Sequence, residues 1–197
     1  MADRMNNAQT LKKFACFCVF FMALIGGIVG LSATYRYYMK ALYPTHHADL
    51  VLAAAEEYKI EPSLIYAVIH TESHFDSAAV SPANAKGLMQ LTDDTFRWAL
   101  TRSGEGSKYS AQDIFQPSIN IRTGVYVLSL FREQFKETDT ALAAYNAGQG
   151  RAEDWLENPL YSADGVHLHT IPYPETEQYI QRVLTAQKRY QRIYHIA

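Results

Sequence analysis

From Ala48 onward, apolar residues recur every three to four positions, the spacing of one helix face, and Gly- and Pro-marked stretches interrupt them. The pattern predicts helices over 48–59, 62–75 opened by Pro62, and 92–100 capped by Thr92. It continues with a long helix over 117–136, a short one over 138–145, the segment RAEDWL, and a closing helix over 174–194. Residues 76–91 and 157–173 read as the longest loops, with VHLHTI inside the second a candidate β-ribbon. An all-α domain over 48–197 follows.

The first forty residues follow another pattern. An uncharged run from Phe14 to Ala33 would be roughly 30 Å long as a helix, the thickness of a bilayer core. Residues 1–13 then read as a cytoplasmic N-terminus, 14–33 as a single transmembrane anchor and 34–47 as a linker. Arg4, Lys12 and Lys13 before the run, against Arg36 and Lys40 after it, favour a cell-membrane protein with its main domain outside the cytoplasm, extracellular or periplasmic. A cleaved signal peptide, processed near Gly30, Ser32 and Ala33, is the competing reading, although the run is long for one.

Composition narrows the chemistry. Residues 1–40 hold five of the 18 basic residues and one of the 20 acidic ones, leaving 13 against 19 and a formal charge of −6 on the rest. That balance argues against a nucleic-acid partner. Both cysteines, Cys16 and Cys18, fall in the apolar run, where they read as lipid-facing residues, so the main domain has neither a disulfide framework nor a thiol nucleophile.

HTESHF (70–75) resembles a zinc-protease helix, but its glutamate stands in the wrong place. His70 and His74 share a helix face, whereas Glu72 points to the opposite one. The histidines read as a polar or half-buried face with Tyr66, and no metal or other cofactor is expected. Glu72 instead continues the stripe of Leu64, Ile65 and Val68 that should face the core. Burial there would raise its pKa toward that of a general acid; a structural ion pair is the alternative.

Four short motifs bear on that choice: Glu72-Ser73, GLMQL (87–91), AYNAG (144–148) and PYPETEQYIQRV (172–183). In order and spacing they resemble the catalytic domain of the family 1 lytic transglycosylases, a goose-type-lysozyme-like helical fold that cleaves peptidoglycan glycan strands. The resemblance covers roughly residues 48–192. It implies that Glu72 alone protonates the bond between N-acetylmuramic acid and N-acetylglucosamine. Acting next as a base, Glu72 would take the proton from the muramyl C6 hydroxyl, which attacks C1 and leaves a 1,6-anhydro sugar. It further implies that Ser81 and Gln90 hydrogen-bond the sugar, Met89 shapes the groove floor and Tyr145 stands near Glu72. Asn146 would hold a turn, Glu175 would sit near the cleft and Tyr179 would close its far wall. Asn120 and Gly124 match a structural N-x-x-x-G pattern, with Gly124 permitting close helix contact.

The chain departs from the family where GLMQL continues with Thr92 and Asp93 instead of the usual Met and Pro. Asp76, four residues beyond Glu72, is the nearest candidate for a second carboxyl group, although its place past the helix end suits a solvated role better. Two rivals stay open: a hydrolytic muramidase on the same scaffold and a non-catalytic peptidoglycan-binding protein. Beyond the glycan and the membrane, wall-synthesis or secretion machinery are the partners such placement suits.

Overall fold

The computed structural model describes residues 2–196, the side chains of 2–16, 18, 19 and 23 aside. The expectation for Cys16 and Cys18 falls on side chains outside those described. Two units divide the chain, Met1–Pro44 and Thr45–Ala197.

In the first unit a single helix, α1, runs over Ala2–Leu42. It continues through most of the stretch expected to be a linker. Among the described residues, Phe20–Leu42 is the one helical stretch long and apolar enough to cross a membrane, by length and composition alone. Phe20, Met22, Ile28 and Leu31 on it are well exposed.

The second unit is helical: α2 (Ala48–Tyr58), α3 (Pro62–Ser73), α4 (Asp93–Arg102), α5 (Pro117–Phe135), α6 (Thr138–Ala147), α7 (Gln149–Glu157) and α8 (Pro174–Tyr194). A 3-10 turn at Ala111–Phe115, not expected from the periodicity, precedes α5. No strand forms among the described residues; the expected ribbon at VHLHTI reduces to one isolated bridge, Ser162 to Leu168. Local chemistry accounts for four of the helix starts. Pro62, Pro117 and Pro174 open α3, α5 and α8 at positions where a missing N–H costs no helical bond. Thr92 caps α4 by accepting from the Thr95 amide.

Packing places α3 chiefly against α8, and α5 between α2 and α6. Leu64, Ile65 and Val68 are fully buried on α3, as are Ile180 and Val183 on α8, each worth about 1.5–3 kcal/mol of transfer. Tyr66 stacks on Tyr190 at 5.3 Å and fixes the register of the pair. The stripe that leads to Glu72 is thus core, and α3 carries the carboxyl group to its edge.

Candidate active site

Helix α3 ends at Ser73, two residues short of the predicted end and one residue past Glu72. His74 and Phe75 both take positive φ, 50° and 66°, and turn the chain away. Successive left-handed non-glycine residues are strained and need support from their surroundings. The support comes from a loop, 74–91, knotted by its own hydrogen bonds. Ser73 Oγ donates to the Leu88 carbonyl at 2.8 Å, Gly87 N to Ala79 O, and Lys86 and Leu91 exchange both backbone bonds.

The loop is held from below by α5. Asn120, fully buried, accepts from the Met89 amide at 2.8 Å and donates to the carbonyls of Lys86 and Ile114. One turn on, Gly124 makes room for Met89: a Cβ there would lie 2.5 Å from its sulfur and 2.8 Å from its own Cβ. The close approach expected of Gly124 is therefore to the loop, not to another helix. Met89 is fully buried and supports the loop from beneath.

Above this base opens a cleft of about 600 Å3 whose lining includes Glu72, Ser81, Gln90, Tyr145 and Asn146. Glu72 is half-buried, and desolvation pushes its carboxyl pKa up to about 7 against the smaller opposing pull of Tyr179 and Arg182. Tyr145 donates its hydroxyl to the Met89 carbonyl at 2.8 Å. Burial first, and the Glu72 charge second, raise its pKa. Gln90, held at φ 47°, donates its side-chain amide to Gly87 O and Ala79 O. Ser81 accepts from the Ala85 amide.

Not every candidate falls where the resemblance implied. Tyr179 is 2% exposed and stands beside Glu72, and its hydroxyl has no hydrogen bond of ordinary geometry among the described residues. Asn146 is exposed on the cleft rim, and the turn it was to hold is closed by Gly148 N donating to Ala144 O. Glu175 is exposed in the first turn of α8, outside the cleft lining. Asp76 also lies outside it, exposed, with its carboxylate accepting from the Ala78 amide. His70 and His74 stand 5.0 Å apart, and His70 packs edge-on to Tyr190.

Periodicity missed the opposite wall, where α4 contributes Asp94, Thr95 and Trp98. Their i, i+1, i+4 spacing was legible as one helix face, but nothing in the sequence marked that face as turned to the cleft. The departure at Thr92 and Asp93 also finds its reason. Thr92 caps α4, and Asp93 receives both short contacts, 2.7 Å each, from Lys86 Nζ in the loop.

A half-buried glutamate with a raised carboxyl pKa thus stands at the edge of a cleft in an all-helical unit, above a loop held by α5. The sequence pattern of the family described as Transglycosylase SLT domain matches residues 49–164, and the chain belongs to that family. Membrane-bound lytic murein transglycosylase C of Haemophilus influenzae (strain PittEE) is 31% identical over 165 residues, covering 73% of this chain and 46% of that protein. The chain spans about half the length of the curated relatives it matches. Among solved structures, an inactive Glu-to-Gln mutant of the lytic transglycosylase Slt from Pseudomonas aeruginosa superposes with TM-score 0.67 at 35% identity, covering 77% of this chain and 25% of that one. The 70 kDa soluble lytic transglycosylase of Escherichia coli gives TM-score 0.70 at 26% identity, covering 79% and 26%.

Proposed function

We propose that the chain is a peptidoglycan lytic transglycosylase, cleaving the β-1,4 bond between N-acetylmuramic acid and N-acetylglucosamine with formation of a 1,6-anhydro end. The observation that carries the reading is Glu72: its carboxyl pKa of about 7 keeps a proton available near neutrality, at a cleft of about 600 Å3. The protonated carboxyl would donate to the glycosidic oxygen. Its carboxylate would then accept the C6 hydroxyl proton as that oxygen attacks C1, a tethered attack favoured by proximity over water. The Tyr179 hydroxyl beside it, whose pull lowers the Glu72 pKa, would steady the charged form. Ser81, Gln90 and Asn146 would contact sugar hydroxyl or acetamido groups. Tyr145 would wall the cleavage point, and Met89 would act through the loop it supports. Neither the position of Glu175 nor that of Asp76 supports a part in the reaction.

We also assign α1 the role of an anchor, membrane-spanning within its apolar part, with the domain from Thr45 onward outside the cytoplasm. The apolar stretch supports the first, and the basic residues before it the second. A tether of this kind would keep cleavage close to the membrane, a placement suited to wall-synthesis or secretion machinery.

One observation favours a second reading. Asp94 is a further carboxyl group among the cleft residues, and a hydrolytic muramidase would use such a group to activate water. Digestion of purified peptidoglycan and mass spectrometry of the products separate the two. Anhydro-muramyl ends that vanish in Glu72→Gln are expected; reducing ends would establish the hydrolase, and intact glycan from both proteins would leave a binding protein.

A further inference from the structure

The α4 wall carries a feature that the bond-breaking chemistry does not need. Trp98 is 39% exposed on the cleft, while the other tryptophan of the chain, Trp155, is 6% exposed. An exposed indole is costly to keep in water, and this one is also held still. Phe131 stacks on it at 6.5 Å with an interplanar angle of 21°, and the Arg102 guanidinium lies over the ring at 5.8 Å. Asp94, one helical turn before it on the same face, is an exposed carboxylate.

Trp98 lines a second hollow as well. A second groove of about 270 Å3 opens between α4 and α5, and it shares Trp98, Phe131 and Gln149 with the Glu72 cleft while adding Arg102, Glu133 and Gln134. The indole therefore lines both hollows, with polar side chains beside it in each. A flat, fixed aromatic ring flanked by hydroxyl acceptors suits a pyranose ring, which offers an apolar face of C–H groups and an equatorial rim of hydroxyls.

We infer that Trp98 and Asp94 form an accessory saccharide subsite that receives a hexosamine unit of the glycan remote from the bond being cleaved, the chain running on into the α4–α5 groove. The exposed part of the indole packs against the apolar C–H face of the sugar, and Asp94 accepts from its hydroxyl groups. This subsite rests on the glycan-cleaving reading and specifies its substrate further: strands long enough to reach from Glu72 past Trp98 bind better than short ones.

The test uses the full 197-residue chain in detergent, with the N-acetylglucosamine dimer and hexamer as probes and tryptophan emission as the readout. In Glu72→Gln, which holds ligand without turnover, the hexamer should shift and quench the emission while the dimer does not. The shift should vanish in a Glu72→Gln, Trp98→Phe double variant, where only buried Trp155 reports. Calorimetry should then show hexamer affinity about tenfold weaker for Trp98→Ala, about 1.4 kcal/mol, with Trp98→Phe between it and the unaltered ring. On long peptidoglycan strands Trp98→Ala should raise KM more than it lowers kcat. Hexamer affinity equal in all variants, alongside intact cleavage of peptidoglycan, would overturn the subsite and leave the enzymatic reading standing. Absence of both hexamer binding and cleavage in the unaltered chain would overturn the two together.

Discussion

The cleft has two unlike walls. The wall built from the end of α3, the 74–91 loop and α6 rests on buried residues and is cross-tied: Ser73 to Leu88, Tyr145 to Met89, Asn120 to two groups of the loop and to the Ile114 carbonyl. The α4 wall is exposed, and Asp94 and Trp98 face solvent with few polar ties. The first wall also carries the motifs shared with the family, while the second carries the departures. The contrast follows from what each wall would have to do under the proposed reading. A group that must hold a proton near pH 7 needs a dry, rigid setting, whereas recognition of a solvated polymer needs reach and water.

The largest test of this contrast is on the chemistry. Glu72→Gln keeps the shape and removes the proton, so peptidoglycan cleavage should fall by at least ~10^3-fold, the usual scale of acid–base assistance. In the unaltered protein kcat/KM should hold below pH 7 and fall above it, since the donating form is lost as pH rises through about 7. A rate that rises across that range would assign the acid role elsewhere.

Next in size is the brittleness of the buried wall. Asn120→Leu keeps the volume but leaves the Met89 amide and the Ile114 carbonyl unpaired and removes one of the two bonds to the Lys86 carbonyl. With two buried groups orphaned, the loss should be about 2–3 kcal/mol, or roughly 8 °C in Tm for a unit of this size. Asp94→Asn, on the exposed wall, should leave Tm where it is. Equal effects from the two would remove the distinction between the walls.

A smaller effect concerns what the burial of Glu72 costs the fold. Its folded pKa of about 7 lies above the unfolded value, so between roughly pH 4.5 and 7 the native state binds the extra proton, and stability falls as pH rises through that window. Glu72→Gln has no such slope. The variant should therefore gain stability over the unaltered protein toward pH 8, on the order of 2 kcal/mol, and lose that gain by pH 4.5. Melting curves that stay parallel across this range would mean that the carboxyl is not desolvated.

Much of the buried wall was legible in the sequence, because burial imposes a period. Leu64, Ile65 and Val68 predicted that Glu72 would reach the core edge, and the GLMQL and AYNAG stretches stand together as the resemblance implied. What escaped was set by tertiary contact. The positive φ angles of His74 and Phe75 end α3 early, yet neither residue type advertises that conformation. Asn120 reads as a helix residue until the loop it holds is folded onto it. Trp98 and Asp94 lie on a polar helix face, and polar faces point to water by default; only the arrangement of α4 beside α5 and α6 makes that water a cleft. The expected ribbon at VHLHTI failed for a related reason: alternation over six residues cannot form a sheet without a partner, and one bridge was all it found.

The smallest prediction bears on why the exposed wall tolerates departure at all. Asp93 occupies the first position of α4, directly after the Thr92 cap, and there proline is favoured because the amide it lacks has no helical partner. The family residue would thus preset the helix by stiffness, whereas this chain ties the helix to the loop by charge, through the 2.7 Å contacts with Lys86. Both devices hold the loop against the start of α4, and a part-buried ion pair still open to solvent is the weaker and more salt-sensitive of the two. Asp93→Pro should therefore leave Tm within about 2 °C of the unaltered protein, while Asp93→Ala, which has neither device, should melt lower than both. Raising salt should lower the unaltered Tm toward that of Asp93→Ala and leave Asp93→Pro in place. If Asp93→Pro instead melts below Asp93→Ala, proline does not fit the start of this α4, and the ion pair is a requirement of this wall and not one of two interchangeable ways to build it.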